Sequence, residues 1–66
     1  MNNTTTFSPG RYLVHGEWDF HVDLREDGSG VWTNLDGTVL YRFVPGEVAE
    51  FLEGWVREGR KISPVN

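Results

Sequence analysis

Hydrophobic and polar residues alternate along the first two thirds of the chain, then switch to a helical spacing. The clearest run is Trp18 to Arg25, where Trp18, Phe20, Val22 and Leu24 alternate with Asp19, His21, Asp23 and Arg25. A period of two predicts a strand with one buried and one polar face. Before it, Gly16-Glu17 suits a tight turn with glycine at its first central position, joined to a short strand over Arg11 to His15 that is placed at an edge. Such a turn pairs His15 with Trp18, Leu13 with Phe20 and Tyr12 with His21.

Glu26-Asp27-Gly28 then predicts a three-residue loop closed by Gly28 in the left-handed conformation, which sets Leu24 opposite Gly30 and Val22 opposite Trp32. A two-residue Asp27-Gly28 turn is the competitor and would send Trp32 to the other face. The third strand, Gly30 to Leu35, ends at the hairpin dipeptide Asp36-Gly37, which pairs Trp32 with Tyr41 and Gly30 with Phe43. Val39, Tyr41 and Phe43 are thereby expected beside Trp18, Phe20, Val22, Leu24 and Trp32 on one face.

Pro45-Gly46 breaks the strand pattern and a helix is predicted from about Glu47 to Glu58, with Val48, Phe51, Leu52, Trp55 and Val56 along one stripe. Gly59 stands where helices commonly stop. Gly54 is costly in mid-helix, and close approach to the sheet or to another chain is the expected reason. The predicted fold class is α+β: a four-stranded antiparallel β-meander with one C-terminal α-helix packed on one face (ββββα). Residues 1–9 are assigned to a flexible N-terminal arm, in which Phe7 alone is apolar enough to dock. Residues 10–61 form the single ββββα domain and 62–66 a C-terminal tail.

Length sharpens this picture. Sixty-six residues lie near the lower limit for independent folding, and the absence of cysteine removes disulfides and thiolate metal sites as staples. Oligomerisation is the remaining ordinary means of burying more surface. No apolar run approaches a membrane span of roughly 18 residues, and the polar start of the chain is not a signal peptide, so a soluble cytoplasmic protein is expected. Six basic against ten acidic residues, a net charge of -4, argue against a nucleic-acid binder.

Chemistry is sparse. Asp19, His21 and Asp23 share a strand face and, with Arg42, are the one group that suggests a metal or small-ligand site at a subunit junction, but same-face neighbours on a strand lie about 7 Å apart. Cross-strand pairing of these aspartates with Arg25 or Arg42 is the simpler expectation. The sequence holds no HExxH, no serine with a plausible histidine partner and no glycine-rich loop running from strand to helix. No catalytic, cofactor-binding or metal-ligating residue is assigned. The three tryptophans fall on apolar stripes and are expected in the core rather than as stacking platforms.

The face away from the helix is expected to be too apolar for a solitary molecule, and Tyr12, Val14, His21, Val31, Leu35, Leu40, Arg42 and Val44 are assigned to an interface on it. The expected function is a small non-enzymatic protein-binding module, a regulator or inhibitor acting through a sheet face or an acidic surface, that self-associates as a homodimer or higher homo-oligomer and binds a protein partner. The acidic groups Asp23, Glu26, Asp27, Glu47, Glu50, Glu53 and Glu58 suggest attraction to a basic site on such a partner.

Overall fold

In the computed structural model, which describes residues 7–65, the alternating segments become β1 (Gly10–Val14), β2 (Phe20–Leu24), β3 (Gly30–Asn34) and β4 (Val39–Phe43), followed by α1 (Glu47–Arg57) and β5 (Ile62–Val65). The sheet is antiparallel throughout, in the order β4-β3-β2-β1-β5. The α+β class and the four-strand meander agree with the sequence. The fifth strand does not: most of the segment assigned to a tail returns beside β1, which becomes an inner strand instead of an edge. Of the segment assigned to a flexible arm, residues 1–6 lie outside the described residues. Phe7 packs edge to face on Tyr12 at 5.6 Å.

The β1–β2 register differs from expectation by one residue, and that changes which side chains are buried. Val14 faces Phe20, Tyr12 faces Val22 and Gly10 faces Leu24. A slip of one residue turns every side chain of β1 over. Tyr12 and Val14, assigned above to an exposed interface, therefore point into the core, where Val14 is 0% exposed. The physical reason is the loop. His15 to Asp19 separates the strands instead of a two-residue turn, which leaves Trp18 outside β2 and half exposed.

Both hairpin turns on either side of β3 have one form. Gly28 N–H donates to the Arg25 carbonyl at 2.9 Å, and Gly37 N–H to the Asn34 carbonyl at 2.9 Å. Each glycine has positive φ, 85° and 93°, a conformation in which a Cβ would be strained. The first loop has the expected length. The second is a residue longer than Asp36-Gly37 alone predicts, yet Trp32 still faces Tyr41, because β4 carries a bulge: Thr33 faces Val39 and Leu40 has no partner across the ladder. This shift pairs Val39 with Thr33, on the face away from the helix, and not with the core side expected from alternation.

The core lies between α1 and one sheet face. Val48 and Leu52 are 0% exposed and meet Tyr12, Val14, Phe20, Val22, Leu24 and Phe43. Around them runs an aromatic chain in which Phe20 contacts Trp32 and Trp55 at 4.9 and 5.1 Å, and Phe43 contacts Phe51 at 5.0 Å. Gly30 makes room for this packing. A Cβ there would run into the Asp23 carbonyl oxygen and come within 2.8 Å of Val48 Cγ2.

The helix has no side-chain N-cap. Its orphan donors are met by the neighbouring turn, with Gly46 N–H donating to Asp27 C=O and Val48 N–H to Gly28 C=O, both at 3.1 Å. Glu47 also accepts from Val44 N–H at 3.0 Å. At the other end α1 ends at Arg57 with Glu58 as its C-cap, one residue before Gly59, and Arg60 folds back. Its guanidinium lies 5.8 Å from the Trp18 ring and 5.9 Å from Phe20, packed against Gly16, where a Cβ would displace it. This cation–π clamp holds the His15–Asp19 loop to the body of the protein.

Candidate interaction surface

On the sheet face away from α1, two cross-strand rows define what is presented. One runs Val65, Arg11, Asp23, Val31, Arg42; the other Ser63, Leu13, His21, Thr33, Val39. Val31 and Thr33 are buried on the inner strand β3, flanked by Asp23 and Arg42 and by His21 and Val39 respectively. Arg11 binds Asp23 in a fork, Nε to Oδ1 at 2.8 Å and Nη2 to Oδ2 at 3.2 Å, and the carboxylate raises the guanidinium pKa first through that hydrogen bond and then by charge. This face is consequently mixed in character, with Val39 and Val65 as its exposed large apolar groups.

The apolar exposure is concentrated elsewhere. Of the nine exposed large hydrophobic residues among those described, five fall between Leu35 and Val44: Leu35, Val39, Leu40, Tyr41 and Val44. They follow the β3–β4 turn and the length of β4, the outermost strand on that side. Leu40 is 44% and Val44 62% exposed. Of the eight interface residues assigned from sequence, Leu35, Leu40 and Val44 lie in this band. Arg42 shares β4 but sits beside Val31 on the mixed face, and His21 is half-buried between Leu13 and Thr33.

Sequence alternation missed Val39 and Tyr41, which it placed in the core. The signal that finds them is position: an outermost strand buries little on either face. Tyr41 turns its hydroxyl to Glu47, donating at 3.1 Å to Oε2, and that carboxylate raises the phenol above its ordinary value of 10.0. The ring continues the band onto α1, with Phe51 at 6.1 Å.

The group Asp19, His21, Asp23 and Arg42 is not assembled within one chain. Asp19 precedes β2 and lies 3.5 Å from His15 Nδ1, Asp23 is committed to Arg11, and Arg42 is separated from Asp23 by the β3 residue Val31. Among the described residues no three His, Cys, Asp or Glu side chains are placed to hold one metal ion. The main-chain N–H of His15 donates to the Lys61 carbonyl at 2.8 Å, extending the β1–β5 ladder.

Among the described residues, two surface depressions stand out. The larger, about 490 Å³, lies between the His15–Asp19 loop and the α1–β5 turn and is lined by His15, Gly16, Glu17, Glu58, Gly59, Arg60 and Lys61; its charges are mixed and its arginine is engaged in the clamp. The smaller lies on the outer side of α1. No helix of the described residues is long and apolar enough to cross a membrane. No protein-family model, curated protein or solved structure matches the chain.

Proposed function

We propose that this chain is a non-enzymatic protein-binding module that self-associates through the β4 side of its sheet. The observation that carries this is the band Leu35, Val39, Leu40, Tyr41 and Val44, a run of exposed apolar groups along one edge. In a domain of 66 residues without cysteine, covering such a band adds buried apolar area at about 25 cal/mol per Å², where the fold has little stability in reserve. A self-complementary patch related by a two-fold axis closes into a dimer.

The bulge decides the mode of contact. Because Leu40 interrupts the ladder, β4 is a poor template for adding a second strand, and bulges commonly blunt sheet edges in this way. The two copies meet through side chains, with the apolar band as the buried centre. Leu40→Asp places a carboxylate there. Sedimentation of the parent at high micromolar concentration is expected to give more than one chain per particle, and the variant the mass of a single chain with unchanged circular dichroism. A monomeric parent at that concentration would sink the proposal.

A further inference from the structure

The outer side of α1 carries a residue that its own chain does not require. Gly54 lies inside the helix, where only proline is less favourable. Among the described residues, a Cβ built on it meets a single atom, Arg57 Nη2 at 3.9 Å, an ordinary van der Waals contact. Close approach to the sheet, one of the two reasons expected from sequence, is thereby removed. The other, close approach of a different molecule, is the one the surroundings favour.

Those surroundings form a groove of about 320 Å³ lined by Glu50, Phe51, Gly54, Trp55 and Glu58. Glu50, Gly54 and Glu58 stand at i, i+4 and i+8 and so form one row, the Cα atoms of the two glutamates about 12 Å apart along the axis with the glycine gap between them. Phe51 and Trp55 form the adjacent row, their rings edge to face at 5.8 Å and 65°. Both glutamates are exposed. Among the described residues Glu50 enters no ion pair, and Glu58 has only Arg60 Nε at 4.0 Å.

An aromatic wall beside a gap flanked by two carboxylates is complementary to a cation with an apolar stem. We infer that the groove over Gly54 receives an arginine side chain from a basic segment of a partner protein. Arginine is favoured over lysine because its flat guanidinium stacks on an aromatic face while its several N–H groups reach separate carboxylates. The chain's own Arg57 brings a guanidinium nitrogen to the border of this gap, 3.9 Å from where a Cβ on Gly54 would stand. A net charge of -4 speeds encounter with such a partner. The inference rests on the reading of the chain as a protein-binding module, and not on self-association through β4.

The test is a nuclear magnetic resonance titration of the full, ¹⁵N-labelled chain with a blocked Gly-Arg-Gly peptide, using Gly-Glu-Gly as the control. Saturable shifts centred on the Gly54 amide and the Trp55 indole are expected with the arginine peptide alone. Gly54→Ala should weaken binding at least fivefold while raising the unfolding temperature, a combination that a merely structural glycine does not produce. Glu50→Gln with Glu58→Gln should weaken it without changing the fold. Absent shifts, shifts spread evenly over the acidic surface, or undiminished binding by Gly54→Ala would overturn the inference. Sedimentation of the same samples separates the two proposals: a monomer that still shows the shifts sinks self-association alone, and an oligomer without them sinks the groove alone.

Discussion

The two edges of the sheet are finished differently. On one side β5 closes the row with Ile62 packed on the core and Pro64 opposite Tyr12; proline offers no N–H, so this edge is a poor template for further strands. On the other side β4 leaves Val39, Leu40 and Tyr41 exposed along its length. A small domain has to end its sheet twice, and here both ends are poor templates for a further strand, by a proline on β5 and a bulge on β4, but β4 keeps a run of apolar side chains at the surface. The asymmetry, more than the total apolar content, identifies the side on which a second molecule is expected.

The largest expected effect comes from the middle of the sheet, which both edges depend on. Gly30→Ala forces a methyl group against the Asp23 carbonyl and Val48, and overpacking of this kind costs about 1–3 kcal/mol, enough to unfold much of a domain with so little reserve. A chemical denaturation curve shifted only slightly would show that the helix does not sit as closely on β3 as described. Next in size, Ile62→Ala removes half-buried contacts on the β5 side and should cost about 1–2 kcal/mol. Leu40→Asp, on the β4 side, should leave the stability of the single chain within about 0.5 kcal/mol while changing its particle mass. Equal losses of stability from the two variants would erase the distinction between the edges.

The smallest effect concerns the two hairpin turns. Asp27 accepts from the Ser29 hydroxyl and N–H at 2.6 and 2.9 Å, and Asp36 from Thr38 N–H at 2.9 Å. Hydrogen bonding to the charged form lowers both carboxyl pKa values below the ordinary 3.8. A group lowered in the folded state contributes its full stability above the unfolded value and loses it as pH falls through the folded one, so acid sensitivity is expected below pH 3.8. Asp27→Asn should flatten this dependence more than Asp36→Asn, because the Asp27 carboxylate holds its turn with two hydrogen bonds and the Asp36 carboxylate with one. The reverse order in thermal melts between pH 2 and 5 would contradict that role.

The sequence made the centre of the molecule legible and blurred its margins. Alternation through Phe20–Leu24 and the spacing of Val48 and Leu52 are driven by burial on one face, and both were read correctly. β5 was missed because four residues containing a proline carry almost no alternation, although proline is tolerated on the outermost strand it occupies. The β1 register failed because Gly16 was read as a turn residue, whereas its lack of a side chain makes space for Arg60, a long-range contact that local pattern does not encode. The second hairpin came out right at Trp32 and Tyr41 only because a longer loop and a bulge at Leu40 offset one another. Of the candidate surface, Leu35, Leu40 and Val44 were legible from apolar residues in a strand context. The groove on α1 announced itself through one misplaced glycine.

The seating of α1 on the Glu26–Gly28 turn has a practical consequence. Two amides at the front of the helix are satisfied by carbonyls that the turn supplies only at its present length, and a Cβ on Gly28 would come within 2.7 Å of Gly46 Cα. Lengthening that loop to graft an epitope or a reporter would therefore unseat the helix as well as the hairpin, while the geometrically similar loop Leu35–Gly37, whose backbone bonds among the described residues stay within its own hairpin, is the place where extra residues could be threaded in at the expense of the β4 band alone.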